Sequence, residues 1–375
     1  MKVLVVDHNA ILKGDRELYR SLNALPGFEV TVLVPNQWKE SFGKVRYEKE
    51  GGGLRVFATK TLFGGRSHRA LYYSLSAVLK RVQPDIIYLN SEPEGFLAWQ
   101  GAILRDRICA SANLVVNSWR NIDYADGRFP YQLPWMSARA ERLVLAKADW
   151  CVVHTRAAKE IFARKGFPRV TIIPAVVNRD VFRRHNRRLP GTNEPFKIGF
   201  VGRFIELKGV DLLLKAASRL TIPYRLILVG DGPAKARWKR LAHDLGIAHN
   251  VIWKDAVPHT SVPEMLNQLD VVVLPSVTGG AWKEQFGRIL IEAMSCEVAV
   301  IGSDSGEIAE VIGNAGIVFW EGDAEALALG LLKLYDDADL RQNLVRKGAE
   351  RVQSKFSIPV VAPLYATLFQ SLKRR

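Results

Sequence analysis

The chain has 375 residues, of which 48% are apolar and 24% are charged, a composition typical of a soluble globular protein with room for two domains. No apolar run is long enough to cross a bilayer, and the first one is interrupted at Asp7, too early for a secretory signal. The three cysteines are far apart and form no Cys-x-x-Cys motif, which argues against a disulfide framework or a zinc knuckle. These features predict a cytoplasmic protein.

The net charge of +15 is concentrated in the first half of the chain. Residues 1–190 carry 31 Lys and Arg against 17 Asp and Glu, whereas residues 191–375 carry 22 against 21. A one-sided positive field attracts anionic partners, which include phospholipid, nucleic acid and phosphate-bearing acceptors. Of these, we expect the first half to meet an anionic membrane surface on the inner face of the cell membrane. A solvated surface that only favours solubility is the alternative. Nucleic acid is not expected as a partner, because motifs that interleave aromatic and basic residues are absent.

Short β-branched runs alternate with helical patterns along the chain. The predicted strands of the first half cover residues 3–7, 29–34, 54–58, 86–90, 113–118, 149–154 and 170–174. Those of the second half cover residues 197–202, 225–230, 250–255, 271–276, 298–303 and 316–319. Helical patterns between them include 68–82, 137–148, 208–220, 233–245, 286–296 and 323–335. This alternation predicts an α/β fold with two doubly wound, Rossmann-like parallel-sheet domains that face a cleft.

A polar, basic and aperiodic segment at residues 182–195 predicts the linker between these domains. We therefore predict an N-terminal domain over 1–185, a C-terminal domain over 186–350, and a helical segment over 351–375 that could cross back to the N-terminal domain. Ligands of doubly wound sheets bind at the carboxyl ends of the strands, where the functional residues are expected.

The segment GFVGRFIELKG (199–209) joins a buried strand to a helical pattern. Gly202 ends the strand, Arg203 follows at once, and Lys208 opens the helical segment. A guanidinium and an ammonium beside a helix N-terminus suit a diphosphate. Two surface cations near a turn would leave the same pattern.

Two further turns follow strands of the second half. LVGDGP (228–233) places Gly230 and Asp231 after a strand, but does not complete the Gly-x-Gly-x-x-Gly dinucleotide fingerprint. VIGSDSGEIAEVIG (300–313) runs from a strand through small polar residues into a helix. The first turn alone is a weak signal, because such turns occur throughout α/β proteins. The second could wrap a phosphate or a sugar, and it could equally be an ordinary connection.

The most informative segment is WKEQFGRILIEAMS (282–295), in which seven residues separate Glu284 from Glu292. The apolar pattern places Glu284 in the loop before a helix and Glu292 about one and a half turns inside it. Gly287 at the first turn would let phosphates approach free backbone N–H groups. An i,i+4 surface ion pair between Arg288 and Glu292 is the alternative, and it would leave Glu284 unexplained.

Taken together, GFVGRFIELKG, LVGDGP, VVVLPS, KEQFGRILIEAM and VIGSDSGE resemble glycosyltransferase family 4 in order and spacing, over about residues 197–320. That family is a retaining group with the B-type two-domain fold. The resemblance implies a nucleotide-sugar donor, a UDP- or GDP-sugar, bound by the C-terminal domain, and no further cofactor.

The resemblance also implies roles for individual residues. It implies catalytic roles in diphosphate and sugar binding for Arg203, Lys208 and Glu284, and donor contacts from Gly202, Gly230, Asp231, Val257, Pro258, Phe286, Gly287, Arg288, Ile289 and Glu292. Within this set Glu284 would lie near the donor sugar, Glu292 would hold the ribose, and Val257 and Pro258 would lie near the base.

The first half resembles the family more weakly, because the usual glycine-rich first loop and the usual His after the fourth strand are both replaced. The acceptor-side candidates are residues that follow predicted strands: His8, Lys13, Gly14, Glu92, Trp119, Asn121 and His154. Each could instead be structural, with His154 capping a core strand and Trp119 packing as a core ring.

The resemblance implies that the transfer retains configuration. Together with the charge of the first half, it predicts a transferase that moves a sugar to a glycan or to a lipid-linked cell-envelope acceptor. The seven His are scattered and form no His-Glu-x-x-His motif, so we expect metal independence. No nucleophile of the enzyme stands out. This favours a mechanism in which the acceptor attacks the anomeric carbon on the same face from which the phosphate leaves, and the leaving phosphate takes the acceptor's proton. The alternatives are a sugar-nucleotide enzyme of the same fold that transfers nothing, and a non-catalytic, transferase-like protein that docks on membranes.

Overall fold

The computed structural model describes residues 1–40, 43–124, 129, 134–185, 194–280 and 282–373. It consists of two compact units, one formed by Met1–Val176 with Ile358–Arg375 and the other by Val177–Ser357. Among the described residues, no helix combines the length and the apolar character that a bilayer span requires.

The first unit is built on a parallel sheet with two small antiparallel hairpins. Its strands are β1 Lys2–Val6, β2 Glu29–Pro35, β3 Gln37–Glu40, β4 Gly43–Arg46, β5 Arg55–Thr59, β6 Thr61–Leu62, β7 Leu71–Tyr72, β8 Ile86–Leu89, β9 Asn113–Ser118, β10 Trp150–Val153 and β11 Val170–Ile172. Its helices are α1 Glu17–Asn23, α2 Leu75–Val82, α3 Phe96–Ile108, α4 Pro134–Lys147, α5 Arg156–Arg164 and, from the end of the chain, α13 Ile358–Lys373.

The main sheet of this unit has the order β11-β10-β9-β8-β1-β2-β5, and all its strand pairs are parallel. Alternate side chains of a strand point to opposite faces. Leu4 and Val6 of β1 therefore pack with α2 to α5, whereas Val3 and Val5 pack with α1 and α13. Because both faces are covered, the strands are apolar almost throughout.

The C-terminal helix α13 belongs to the first unit although it follows the second in sequence. The hydroxyls of Tyr88 and Tyr365 lie 3.2 Å apart, and the Asn113 side chain donates to the Leu372 carbonyl. The first unit therefore depends on both ends of the chain.

The second unit begins at Val177 and ends at Ser357, so its bounds differ from the predicted 186 and 350. The Val177 N–H donates to the Phe356 carbonyl at 2.9 Å, and the Ser295 hydroxyl donates to the Phe182 carbonyl. These long-range bonds hold 177–185 on the second unit. Most of the predicted linker, residues 186–193, lies outside the described residues.

The second unit is a six-stranded parallel sheet with helices between its strands. The strands are β12 Phe196–Val201, β13 Tyr224–Val229, β14 Val251–Lys254, β15 Val271–Leu274, β16 Ala299–Ser303 and β17 Ile317–Phe319. The helices are α6 Val210–Ala217, α7 Lys235–Asp244, α8 Val262–Leu266, α9 Arg288–Ser295, α10 Ile308–Ile312, α11 Ala324–Asp336 and α12 Ala338–Arg351. The strand order is β14-β13-β12-β15-β16-β17.

Both main sheets reverse their strand order between their first and fourth strands, β1 with β8 and β12 with β15. In open parallel sheets such a reversal opens a crevice at the carboxyl ends of those two strands, and ligands bind there. In each unit, the loops that follow these two strands are therefore the expected place for functional residues.

Every predicted strand is present, with ends shifted by at most two residues. The predicted helix over 68–82 is wrong in its first half, since only Leu75–Val82 is helical. Residues 71–72 instead pair with β6, and the Gln100 side chain accepts from the Tyr72 N–H. This tertiary pairing overrides the local helical pattern. The short hairpins β3–β4 and β6–β7 were not predicted.

Candidate functional site

The loops that follow β12 and β15 meet at the strand-order reversal of the second unit. Gly209 closes the first loop with φ +64°, and a Cβ there would lie 1.9 Å from the Pro275 carbonyl oxygen in the second loop. Only glycine permits both this backbone conformation and this approach. The two loops are therefore held in backbone contact.

Lys208 and Glu284 form a mostly buried ion pair on these loops. The ammonium Nζ lies 2.6 Å from Glu284 Oε2, and the Ser276 hydroxyl donates to the same oxygen at 2.7 Å. Glu284 is 6% exposed, and the ammonium stands 5.3 Å from the centre of the Trp282 ring. The cation and the carboxylate are thus held in place by each other and by their surroundings.

The loop after β16 supports the backbone of Glu284. Gly306 has φ +60°, and a Cβ there would lie 2.0 Å from the Glu284 carbonyl oxygen. The Glu307 N–H donates to that same carbonyl. The VIGSDSGE segment therefore packs directly against the residue that the Lys208 ammonium binds.

Helix α9 places Glu292 in its second turn, as predicted. Glu292 is almost fully buried, and His259 Nε2 lies 2.9 Å from its Oε1 while Arg288 Nη2 lies 3.6 Å away. Burial alone would raise the pKa of Glu292, but the hydrogen bond with His259 and the charge of Arg288 lower it below its usual value. Glu292 is accordingly a carboxylate at neutral pH.

The start of α9 also matches the prediction. Gly287 precedes the helix with φ +80° and packs against Leu274 of β15. Phe286 is buried and meets Phe356 edge-on, with ring centres 5.8 Å apart. The helix begins at Arg288, so the first backbone N–H groups of α9, including that of Ile289, have no intrahelical partner.

The remaining donor-side candidates lie at the carboxyl ends of β12, β13 and β14. Gly230 adjoins Gly202 so closely that a Cβ on Gly230 would lie 1.9 Å from the Gly202 oxygen. The Phe204 N–H donates to the Asp231 carbonyl. Arg203 is exposed and forms no ion pair within the described part of the chain.

Val257 and Pro258 directly precede a 3-10 turn, His259–Ser261. His259 was not identified from the sequence, although it is the next residue after the segment assigned to the base. Its ring centre lies 5.0 Å from that of Phe182, which places it between Phe182 and Glu292.

Three acceptor-side candidates of the first unit come together at the carboxyl ends of β8, β9 and β10. The carboxylate of Glu92 accepts from the Ser118 hydroxyl at 2.5 Å and from the Trp119 N–H at 2.7 Å. The Trp119 ring stacks on His154 with centres 3.6 Å apart. His154 in turn contacts the Ile173 carbonyl at 2.7 Å.

The pKa of Glu92 is raised to about 7, first by burial and then by the nearby charge of Glu94, against the opposing effect of Arg120. Arg120 itself is buried between Glu94 and Glu141. Sequence reasoning identified Glu92 but missed Arg120, Glu94 and Glu141, since these three residues lie on separate elements and form no motif.

The other acceptor-side candidates do not join this group through a described contact. His8 packs against Trp38 with ring centres 4.7 Å apart, and burial lowers its pKa. The Lys13 N–H donates to the Glu48 carboxylate, Gly14 is exposed, and Asn121 is buried.

Two family models match the chain. "Glycosyl transferase 4-like domain" matches residues 16–175, and "Glycosyl transferases group 1" matches residues 182–351. The chain belongs to glycosyltransferase family 4. The resemblance inferred from the second half is thus confirmed, and the match to the first half extends it.

The family 4 chain is similar to curated proteins over part of their length. It is 29% identical over 212 residues to the N-acetyl-alpha-D-glucosaminyl L-malate synthase of Bacillus anthracis, covering 54% of each. It is 30% identical over 273 residues to the D-inositol 3-phosphate glycosyltransferase of Mycobacterium tuberculosis strain H37Ra, covering 68% of this chain and 52% of that one. The chain spans about half the length of the curated relatives it matches.

Solved structures share the fold over nearly the whole chain. The sucrose-phosphate synthase of Thermosynechococcus elongatus superposes with a TM-score of 0.72 at 18% identity, covering 99% of both chains. HepE of Anabaena, solved in complex with UDP, superposes with a TM-score of 0.71 at 17% identity, covering 99% of this chain and 100% of that one. The predicted B-type fold is confirmed.

Proposed function

We propose that this chain is a glycosyltransferase that takes a sugar from a UDP- or GDP-sugar bound by the second unit. In this proposal the sugar passes, with retention of configuration and without a metal ion, to a glycan or lipid-linked cell-envelope acceptor bound by the first unit. The observation that carries the proposal is the buried Lys208–Glu284 pair at the reversal between β12 and β15. Family membership and the complex of HepE with UDP-glucose support it.

The phosphate end of the donor would meet Lys208, Arg203 and the start of α9. Glycosyl transfer builds negative charge on the leaving diphosphate as the anomeric carbon becomes positive. Cations and unpaired backbone N–H groups that are already in position stabilise that charge without reorganising. The exposed Arg203 and the mostly buried Lys208 supply such cations on one loop.

The two glutamates would bind the two ends of the donor. Glu284 stands beside the Lys208 ammonium, where its carboxylate can accept hydrogen bonds from sugar hydroxyls. Glu292 lies farther along α9 and can accept two bonds from a ribose diol. The pKa of Glu292 is lowered by His259 and Arg288 in spite of burial, which keeps it an acceptor.

The acceptor would be bound near Glu92, Trp119 and His154 in the first unit. No nucleophile is assigned on the enzyme, and the leaving phosphate takes the proton of the attacking hydroxyl. The names of the curated relatives contain different small molecules, L-malate and D-inositol 3-phosphate, so the acceptor is proposed only by class.

A thermal-shift panel of UDP-, GDP-, ADP- and TDP-sugars on the full chain tests the donor. A ligand that binds the folded state at about 100 times its dissociation constant adds about 2.7 kcal/mol of stability. We expect a UDP- or GDP-sugar to raise the unfolding temperature by several degrees, and the Lys208→Ala variant to lose that rise. Lys215→Ala, on the exposed side of α6, is the matched control.

If no nucleotide sugar shifts the transition of the wild-type chain, the donor site is wrong. Donor turnover that is unaffected by any added acceptor would instead favour an enzyme that transfers nothing.

A further inference from the structure

Two hairpins stand together at one edge of the first sheet. The β3–β4 hairpin follows β2, and the β6–β7 hairpin follows β5, which is the edge strand of the sheet. The two hairpins are in close contact at Gly65 and Lys39. A Cβ on Gly65 would lie 2.7 Å from Lys39 Cβ and 2.9 Å from the Lys39 carbonyl oxygen. The described residues of 37–46 and 60–73 are called the hairpin surface below.

The hairpin surface exposes large apolar side chains on its second hairpin. Leu62, Phe63 and Tyr73 are 42%, 49% and 66% exposed. Phe63 lies at the turn with φ +57°, a conformation that is costly for a residue with a side chain. About half of the Phe63 side chain is exposed, so burial of the ring does not compensate for this backbone strain. Packing within the hairpin therefore does not explain why a large aromatic residue stands there.

The same surface is strongly basic. Its sequence contains six cationic residues and a single carboxylate, Glu40. Five of the six are exposed and form no ion pair with any described residue: Lys39, Lys44, Arg46, Lys60 and Arg66. Other cations of this unit do pair with carboxylates, as Arg55 does with Glu29 at 3.2 Å. The positive charge of the hairpin surface is therefore left for a partner.

We propose that the hairpin surface docks on a lipid bilayer that contains anionic headgroups. Leu62, Phe63 and Tyr73 would enter the headgroup region, and the surrounding cations would bind the headgroups. Exposed apolar side chains together with exposed Lys and Arg on the same pair of hairpins are the combination that interfacial membrane binding requires. A nucleic acid would match the charge but would leave the aliphatic Leu62 without a partner.

This proposal goes beyond the proposed transferase activity and uses none of the donor-side residues. Sedimentation of the full chain with vesicles tests it, using phosphatidylcholine alone and phosphatidylcholine mixed with phosphatidylglycerol. We expect binding only to the mixed vesicles, weakening as salt is added, because screening reduces the attraction between exposed charges.

Two variants separate the charged and apolar contributions. The charge variant is Lys39→Gln/Lys60→Gln/Arg66→Gln, and its partition coefficient should fall about five-fold for each charge removed. The apolar variant is Leu62→Ser/Phe63→Asn/Tyr73→Ser, in which Asn tolerates the positive φ of position 63. It should retain weak binding that salt abolishes completely.

The matched controls lie in the second unit. Lys215→Gln/Arg219→Gln/Arg237→Gln removes three exposed charges, and Trp320→Ser removes a side chain that is 76% exposed. Both controls should bind mixed vesicles like the wild type. Each variant is first required to keep the wild-type unfolding temperature and the shift that a nucleotide sugar produces, so that misfolding is not mistaken for lost docking.

Equal binding to neutral and mixed vesicles, or wild-type binding by both hairpin variants, would overturn the proposal. So would a charge control that loses as much binding as the charge variant, since the effect would then be one of net charge. If the hairpin variants lose affinity for a single-stranded oligonucleotide while vesicle binding is unchanged, the surface serves nucleic acid and the membrane assignment is wrong.

Discussion

Lys208 Nζ lies 2.6 Å from Glu284 Oε2, although 76 positions separate the two residues in the chain. Lys208 follows β12 and Glu284 follows β15, and these strands are neighbours where the strand order of the sheet reverses. The Glu284 carboxylate thus fixes the position of the Lys208 ammonium before a donor diphosphate binds. A donor diphosphate would share this cation, so the pair links phosphate binding to the carboxylate proposed to bind the sugar.

Replacing Lys208 should damage both activity and stability. Lys208→Met removes the ammonium that is paired with the buried Glu284 carboxylate, which should cost about 1–3 kcal/mol of unfolding free energy. Loss of the cation facing the diphosphate should lower kcat by about 10²–10³. Urea unfolding and a sugar-transfer assay measure the two effects.

The double variant Lys208→Met/Glu284→Gln separates the effect on stability from the effect on activity. It removes the buried carboxylate charge together with the ammonium, so it should recover most of the lost stability and none of the activity. Lys215→Met, on an exposed i,i+4 pair, should change neither by a measurable amount. Recovery of transfer in the double variant would contradict the phosphate role of Lys208.

His259 should position Glu292 for the nucleoside. His259 Nε2 lies 2.9 Å from Glu292 Oε1, and such a hydrogen bond contributes about 1–1.5 kcal/mol. His259→Ala should therefore raise the dissociation constant of the nucleoside diphosphate about ten-fold, as measured by calorimetry. His259→Gln keeps an N–H donor and should recover most of the affinity.

His243→Ala, on the exposed side of α7, is the control for losing an imidazole. If the Gln variant binds as weakly as the Ala variant, His259 acts by packing against Phe182 and not through Glu292.

Gly306→Ala should displace Glu284. The added Cβ would lie 2.0 Å from the Glu284 carbonyl oxygen, so the backbone of one loop has to move. We expect the unfolding free energy to fall by about 3 kcal/mol or more, and donor binding to be lost in the thermal-shift assay.

Gly246 provides a matched comparison. It also has a positive φ, +72°, but nothing lies within 4 Å of its Cβ position. Gly246→Ala should therefore cost only the backbone strain, about 1 kcal/mol, and keep donor binding. If Gly306→Ala and Gly246→Ala lost the same unfolding free energy, the contact of position 306 with Glu284 would be unimportant.

Glu92 should make the first unit less stable as the pH rises. Burial and Glu94 raise the folded pKa of Glu92 from 4.5 to about 7, so between these values the folded state holds a proton that the unfolded state has lost. This contribution is fully present below about pH 4.5 and is lost as the pH passes 7. Glu92→Gln removes the titration, so its stability relative to the wild type should increase by on the order of 2 kcal/mol from pH 5 to pH 8.

Urea unfolding of both proteins at the two pH values measures this difference, and the exposed Glu350→Gln is the control. A difference between Glu92→Gln and the wild type that does not change with pH would show that Glu92 is ionised throughout.

The arrangement of strands and the donor-side motifs could be predicted from the sequence because both are local. Buried parallel strands are continuous apolar runs, and each motif directly follows such a run, as Lys208 and Glu284 do. The parallel sheet then brings the carboxyl ends of the strands to one edge. The hairpins of residues 37–46 and 60–73 were missed because their strands are too short to give a periodic signal, and because pairing with β6 overrides a helical pattern.

Only the tertiary structure decided which partners the charged side chains have. His259 on Glu292, Ser276 on Glu284 and Arg120 between two glutamates are contacts between elements that are distant in sequence. The sequence by itself determined which residues stand at strand ends, since hydrophobic periodicity and glycine are properties of neighbouring positions. Hydrogen bonds and pKa values depend on distance and burial, which exist only once the sheet has brought separate loops together.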